Sequence, residues 1–189
     1  MISRTSRDLV YAYAQSHGDR TAVVDSHGVF TYRDLLDASS RVATALLAGH
    51  EDLHEDRVAF LVTPGFQWVA AQWGIWRAGG VAVPLPLNAT RPELEYIVDD
   101  TSASTLVFDA QAAALLGSIA AARGIRAFPC AHLGAFQPAE LPEIASARRA
   151  MILYTSGTTS RPKGVVTTHA NITAQIMSLV EAWEWSADD

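Results

Sequence analysis

The chain has 189 residues, 49% of them hydrophobic, and a formal net charge of −6 at pH 7. This length and apolar content exclude intrinsic disorder and suffice for one domain with its own core. The acidic balance argues against nucleic acid as a partner.

Cysteine usage and hydropathy exclude further classes. Cys130 is the only cysteine, so the chain cannot form an internal disulfide, and we expect this thiol to be a small buried hydrophobe rather than a nucleophile. No apolar run reaches the roughly 18 residues that a membrane span requires, and the first residues lack a secretory hydrophobic region. The sequence therefore predicts a protein without a membrane span, located in the cytoplasm.

The first third of the chain predicts helix, hairpin and helix. Apolar spacing indicates a helix over residues 5–16, and two short strands at 21–25 and 29–32 flank a turn, as in a β-hairpin. Thr31 and Asp34 have the spacing of a capping pair for a helix at about 33–48, which Gly49 is expected to end.

The middle of the chain alternates strands with helices. This alternation is typical of βαβ units, so we predict an α/β fold with a mostly parallel sheet covered by helices, preceded by the small hairpin. Residues 138–146 are expected to form a loop. The predicted strands are 58–62, 81–85, 105–108, 125–129 and 151–154, and the predicted helices are 66–78, a helix that starts after Thr90, and 110–122.

The last predicted elements follow a polar loop. A short strand at Val165-Val166 precedes a helix that Thr168 caps and that extends to about Trp183. Its buried stripe is expected to comprise Ile172, Ile176, Leu179 and Trp183. We expect a structural hydrogen bond rather than acid–base chemistry for His169, which directly follows the loop region.

The loop itself, residues 154–164 with the sequence YTSGTTSRPKG, has the composition of an anion site. Successive backbone N–H groups in such a loop form a concavity for anions, hydroxyls add donors, and Lys163 adds a point charge suited to phosphate. The loop leaves the carboxyl end of a predicted buried strand, where ligands of parallel sheets bind. The residues therefore predict a cradle for polyphosphate.

Two other interpretations fit the residues of the loop less well. It is not a Walker A loop, because Pro162 precedes the lysine and Gly164 replaces the hydroxyl residue that binds Mg²⁺ there. A plain flexible turn rarely ends in an ordered Pro-Lys-Gly. The region between Glu143 and Glu181 contains no acidic residue, which suits an anionic ligand, although chance clustering of its basic residues is the alternative.

Residues 154–171, YTSGTTSRPKGVVTTHAN, closely resemble the signature loop of the adenylate-forming superfamily. This superfamily includes acyl-CoA synthetases, luciferases and the adenylation domains of peptide synthetases. One position departs from its usual pattern, since Ser160 stands where the family has glycine. The segments 71–73, 79–85, 94–96 and 183–185 look most like the malonyl-CoA synthetase group, although these are scaffold residues, which suggest kinship and do not identify the substrate.

The resemblance implies an AMP-forming acyl-CoA synthetase. Such enzymes bind ATP, Mg²⁺ and a carboxylic acid, form an acyl-adenylate with release of pyrophosphate, and transfer the acyl group to coenzyme A. It assigns no catalytic residue and no metal ligand in this chain, and the pair His50 and His54 lacks the order of a metal motif. The residues that it assigns to the β- and γ-phosphates of ATP are Thr155, Ser156, Gly157, Thr158, Thr159 and Lys163.

The resemblance covers residues 1–189 only as the amino-terminal portion of a catalytic domain. The family's later motifs and its carboxyl-terminal lid domain have no counterpart before Asp189, so we expect a fragment that is inactive by itself and whose partner is the remainder of the ligase. Two alternatives stay open: an adenylation domain of the peptide synthetase type, and a non-catalytic nucleotide-binding module.

Overall fold

The computed structural model describes residues 14–155 and 161–186. Of the predicted first helix, residues 14–16 are helical, and the rest lies outside the described residues. The strands are β1 (Thr21–Asp25), β2 (Gly28–Thr31), β3 (Arg57–Leu61), β4 (Val81–Pro84), β5 (Thr105–Phe108), β6 (Arg126–Pro129), β7 (Arg149–Thr155) and β8 (Lys163–Thr168). The helices are α1 (Tyr32–Leu47), α2 (Phe66–Arg77), α3 (Arg91–Thr101), α4 (Ala113–Arg123), the short α5 (Cys130–Leu133) and α6 (His169–Ala182).

The amino-terminal elements form as the sequence predicts. β1 and β2 pair antiparallel as a separate two-stranded sheet. Thr31 caps α1 in a capping box, in which its hydroxyl accepts from the Asp34 N–H at 3.2 Å and the Asp34 carboxylate accepts from the Thr31 N–H at 2.8 Å. The helix ends one residue earlier than predicted, because Ala48 takes the left-handed conformation (φ 48°) before Gly49 does.

The second sheet has six strands in the order β6-β5-β3-β4-β7-β8. All neighbours are parallel except β7 and β8, which form an antiparallel hairpin at one edge. The prediction of a mostly parallel sheet is confirmed. The strand predicted at Val165-Val166 is longer, since pairing with β7 extends it from Lys163 to Thr168.

Successive residues of the central strands point into two different cores. Val58 and Phe60 of β3 pack with α1 and α2, whereas Ala59 and Leu61 pack with α3 and α4. Because the sheet is covered on both faces, its strands consist of continuous apolar runs. Each large side chain buried in this way stabilises the fold by about 1.5–3 kcal/mol relative to exposure.

Two helices differ from their predictions for local reasons. Helix α4 starts at Ala113 rather than 110, because the Asp109 carboxylate accepts from the backbone N–H groups of Gln111 and Ala112 and holds them in a turn. The predicted buried stripe of α6 is wrong: Ile176 and Trp183 are 40% and 58% exposed. In the described part of the chain α6 is packed mainly at its first turn, so its later apolar residues have no core to enter.

The start of β7 is fixed by a cluster of buried and partly buried polar contacts. The guanidinium of Arg148 donates to both carboxylate oxygens of Asp52 at 2.6 and 2.9 Å and to the Gly79 carbonyl at 2.6 Å. Burial raises the pKa of Asp52, but hydrogen bonds from Arg148 and the His54 N–H outweigh burial and hold it below its ordinary value. The buried indole of Trp76 donates to the Ala150 carbonyl at 2.7 Å.

His169 completes this cluster at the first residue of α6. Its side chain is buried, and its ring meets the Trp76 ring edge-on with centroids 5.8 Å apart. The backbone N–H of His169 donates to the Arg148 carbonyl at 3.1 Å. Burial, and then the positive charge of Arg148, lower the pKa of His169 from 6.5 to about 4. The imidazole is therefore neutral at physiological pH, which fits a structural role rather than acid–base chemistry.

The crossing of α1 and α2 depends on the absence of a side chain at Gly74. A Cβ atom there would lie 2.3 Å from Val42 Cγ1 and 3.1 Å from the Ser39 carbonyl oxygen. The two helices approach closely because nothing separates them at this point. No helix in the described part of the chain is long and apolar enough to cross a bilayer.

We expect Gly74→Ala to lower the free energy of unfolding by about 1–3 kcal/mol, because the added methyl group forces α1 and α2 apart. Urea denaturation measures the change. Gly117→Ala is the matched control: nothing lies within 4 Å of a Cβ built at this position in α4, so that variant is expected to be neutral or stabilising by up to about 1 kcal/mol. Equal effects of the two substitutions would contradict the packing argument.

We also expect acid to destabilise the protein through His169. Between pH 6.5 and about 4 the unfolded state binds a proton at this residue and the folded state does not, so the free energy of unfolding falls as the pH falls through this window, by on the order of 3 kcal/mol in total. Denaturation at several pH values should show this loss in the wild type and in His50→Gln, which changes an exposed histidine. His169→Gln should lack it, and parallel curves for all three proteins would contradict the assignment.

Candidate functional site

The predicted phosphate loop joins β7 to β8 at the carboxyl end of the parallel sheet. Thr155, the last residue of β7, is the register partner of Lys163, the first residue of β8, and both are exposed. The structure thus places the two residues at the ends of the loop opposite each other. Their position beyond the end of a parallel strand is where ligands of such sheets bind.

The other four predicted phosphate ligands, Ser156, Gly157, Thr158 and Thr159, lie outside the described residues. Their assignment stays a prediction. What the structure provides is the geometry of the two stems from which the loop departs, Tyr154-Thr155 on one side and Arg161 to Gly164 on the other.

His169 follows the loop closely in sequence but lies at the other end of the hairpin. Its neighbour Thr168 is the register partner of Arg149 at the start of β7, six residues before Thr155. At about 3.4 Å per residue this separation is roughly 20 Å along the strand. The structure therefore separates His169 from the phosphate loop.

Helix α3 supplies contacts to both stems that the sequence analysis did not identify. Tyr154 donates its hydroxyl hydrogen to the Asp100 carboxylate, and the Tyr96 hydroxyl donates to the Pro162 carbonyl at 3.2 Å. The Arg161 guanidinium lies over the Tyr96 ring, 5.4 Å from its centroid. The two residues of the first hydrogen bond are 54 positions apart in sequence, and those of the second are 66 apart. No local pattern could therefore predict these contacts. The only available signal was the helical spacing that puts Tyr96 and Asp100 on one face of α3.

The chemistry of Tyr154 follows from its surroundings. Burial raises the pKa of its hydroxyl above the ordinary value, and the hydrogen bond to Asp100 raises it further. Tyr154 is therefore a neutral donor at physiological pH. Gly164 leaves room for its ring, since a Cβ at that position would lie 3.2 Å from Tyr154 Cζ and 2.9 Å from Ile152 Cγ2.

Cys130 is placed as a structural thiol. Its Sγ donates to Gln67 Oε1 at 3.4 Å, and burial, with the negative charge of Asp109, raises its pKa to about 11. The thiolate fraction at neutral pH is correspondingly small, which agrees with the expectation that Cys130 is not a nucleophile.

No metal centre is assigned in the part of the chain that the structure describes. Within residues 14–155 and 161–186, no group of three or more His, Cys, Asp or Glu side chains is arranged to hold a metal ion. The exposed cation Lys163 and hydroxyl Thr155 are instead donors, a set that suits the oxygens of an anion.

Comparison with known proteins gives consistent matches over this chain. In humans (Homo sapiens), the mitochondrial malonate–CoA ligase ACSF3 is 40% identical over 200 residues, which cover 100% of this chain and 35% of that protein. The chain thus spans about a third of the length of the curated relatives that it matches.

Solved structures of MatB from Rhodopseudomonas palustris have the same fold. The apo form matches with a TM-score of 0.80 at 27% identity, and the ATP-bound form matches with 0.79 at 28%. Each match covers 93% of this chain and 38% of the MatB chain.

A family model described as AMP-binding enzyme matches residues 10–189, which is nearly the whole chain. The match includes the strand, both stems and the loop that the sequence identified as a polyphosphate cradle. The chain belongs to the AMP-binding enzyme family.

Proposed function

We propose that residues 1–189 are the amino-terminal portion of the catalytic domain of an ATP-dependent acid–CoA ligase. The observation that carries the proposal is the pairing of Thr155 with Lys163 at the carboxyl end of β7, at the two ends of a loop rich in hydroxyls and glycine. The family membership of the chain supports it.

Lys163 has a particular place in this proposal. It is the only lysine in the 189 residues, and it is exposed on the first residue of β8. An ammonium group is a compact charge with three donors, which suits the non-bridging oxygens of a polyphosphate. Thr155 adds a hydroxyl donor across the hairpin.

The proposed reaction has two steps. A carboxylate oxygen of the acid attacks the α-phosphorus of ATP, the bond from that phosphorus to the β-phosphate bridging oxygen breaks, and pyrophosphate leaves. The thiolate of coenzyme A then attacks the acyl carbon, and AMP leaves. Lys163 and Thr155 act in the first step, because donors on the β- and γ-phosphate oxygens stabilise the charge that develops on the leaving pyrophosphate.

Mg²⁺ is part of the proposal only as the ion that accompanies ATP. When bound, it would neutralise phosphate charge. No residue of the described part of the chain is assigned to it, and the same holds for the pocket of coenzyme A.

Malonate is the first acid to test. The curated relatives at 36–40% identity are named malonate–CoA ligases. Three of the four segments of this chain that look like that group contain buried scaffold residues: Ala71 and Trp73 in α2, Val81 to Val83 in β4, and Leu94 in α3. They support kinship but do not identify the acid. They also do not decide whether coenzyme A or a carrier protein is the acceptor, so both questions are left to experiment.

We expect the complete ligase to catalyse ATP–pyrophosphate exchange that depends on one carboxylic acid, with malonate, acetate, fatty acids and amino acids compared. Lys163→Ala should lower the exchange rate at least tenfold, because a charge-assisted hydrogen bond to the leaving group is lost. Lys163→Arg, which keeps the charge, should be less affected, and Arg41→Ala on α1 should match the wild type.

Three outcomes discriminate the alternatives. Acid-dependent exchange that Lys163→Ala leaves unchanged would contradict the role of Lys163. Exchange with acyl transfer only to a carrier protein favours the peptide synthetase type. A folded protein that binds ATP but exchanges no pyrophosphate with any acid would favour a nucleotide-binding module.

The 189-residue chain by itself is expected to form no acyl-AMP. The residues assigned here contact only the polyphosphate, and the resemblance places the ribose and acyl contacts beyond Asp189. Chromatographic detection of acyl-AMP after incubation with ATP, Mg²⁺ and the preferred acid checks this. Turnover comparable to that of the complete ligase would contradict the proposed domain organisation.

A further inference from the structure

Strand β7 is supported by its parallel neighbour only near its start. β4 pairs with β7 at a single register position, Ala82 with Met151. The part of β7 that leads to the loop, residues 152–155, therefore has β8 on one side and no pairing with β4 on the other. Leu153 and Val165, which are register partners, are 41% and 48% exposed. The end of the hairpin needs support from outside the sheet.

Helix α3 is a rigid body against which this end can be held. Its inner face buries Leu94, Ile97 and Val98 against the sheet. Its first turn is fixed by a capping box at Thr90, in which the Glu93 carboxylate accepts from the Thr90 N–H at 2.6 Å. Buried apolar area and a capped start make α3 part of the core and not a mobile surface element.

The carboxyl end of α3 is fixed as well. The Arg57 side chain of β3 donates to the Thr101 carbonyl at 2.8 Å and to the Ser102 carbonyl at 3.1 Å. The Arg123 guanidinium of α4 binds both oxygens of Asp99 at 2.6 and 2.8 Å. Strand and helix neighbours thus hold the carboxyl end of α3, and the capping box fixes its start.

The other face of α3 contacts both stems of the loop. Tyr96 and Asp100 are four residues apart and share one face of the helix. Asp100 accepts from Tyr154, one residue before Thr155, and Tyr96 donates to the carbonyl of Pro162, one residue before Lys163. The rings of Tyr96 and Tyr154 meet edge-on, with centroids 6.3 Å apart. One helix face therefore fixes the backbone beside each of the two described phosphate-ligand candidates.

Arg161 is held by the same face. Its guanidinium lies over the ring of Tyr96, an arrangement that is attractive because the ring face is negative. Together with the hydrogen bond from Tyr96 to the Pro162 carbonyl, this contact keeps the second stem on α3. Lys163, two residues later, extends the strand pairing and is exposed.

We propose that Tyr96 is a positioning residue for the polyphosphate of a nucleoside triphosphate: through Pro162 and Arg161 it fixes the backbone that carries Lys163. The inference rests on the proposed function, since it assumes that Lys163 contacts phosphate. Tyr96 touches no reacting atom. Its loss weakens the contact with ATP and pyrophosphate and leaves the contact with the acid intact.

The test uses steady-state exchange kinetics of the complete ligase with three variants. Tyr96→Phe removes only the hydrogen bond to Pro162, and Tyr96→Leu also removes the ring beneath Arg161. Tyr32→Phe is the matched control, since it removes a tyrosine hydroxyl from the first turn of α1. KM values for ATP, pyrophosphate and the acid are measured separately, and the dissociation constant of ATP is measured by calorimetry.

We expect Tyr96→Phe to raise KM for ATP and pyrophosphate two- to tenfold, as the loss of one net hydrogen bond implies. Tyr96→Leu should raise them further, Tyr32→Phe should not, and KM for the acid should stay within twofold of the wild type in all variants. A parallel rise of KM for ATP and for the acid would show a general structural defect and overturn the proposal, as would unchanged KM values for ATP in Tyr96→Leu.

Two further measurements separate this inference from the proposed function. If the wild type exchanges no pyrophosphate with any acid, the proposed function fails, and the dissociation constant of ATP then decides the inference. A larger dissociation constant in Tyr96→Leu than in the wild type supports the inference, and an equal one overturns it. Amide hydrogen exchange should also be faster in Tyr96→Leu over residues 161–168 and unchanged over β3. Unchanged amide hydrogen exchange in both segments would overturn the proposed positioning role of Tyr96.

Discussion

The placement of β7 depends on how the buried end of the strand is anchored. The indole of Trp76 donates to the Ala150 carbonyl, near the start of β7. Arg148, the residue before the strand, binds Asp52 and the Gly79 carbonyl. A partly buried guanidinium has a high cost unless its donors are satisfied, and here a carboxylate and a carbonyl satisfy them. These contacts fix the residue at which the strand starts. The register of β7, and with it the position of Thr155 six residues later, follows from that start.

The two ends of the β7–β8 hairpin have different physical character. Its base is anchored by the buried Ala150 and by a buried, neutral His169 that packs against Trp76. Its tip is exposed, carries Thr155 and Lys163, and is held by α3 through Tyr96 and Asp100. A firmly packed base with a polar, accessible tip is the arrangement that a ligand loop requires, because the scaffold fixes the stems while the donors stay free to meet an anion.

Several large apolar side chains of α6 and β8 are exposed in the part of the chain that the structure describes. Ile176, Met177 and Trp183 of the last helix region are between 40% and 58% exposed, as are Val165 and Val166 of β8. This chain spans about a third of the length of its curated relatives.

The sequence by itself determined the local structure and the chemistry of the loop. Hairpin, strand and helix positions follow from periodicity, and the caps at Thr31, Thr90 and Thr168 follow from residues three positions apart that bond each other in the structure. The run of hydroxyls, glycines and one lysine predicted an anion site, and the family was identified from it. Only the tertiary structure decided that His169 lies far from that site and that α6 is largely exposed. Only the tertiary structure likewise showed that Tyr96 and Asp100 hold the stems, because these contacts join residues more than fifty positions apart, where no local pattern records them.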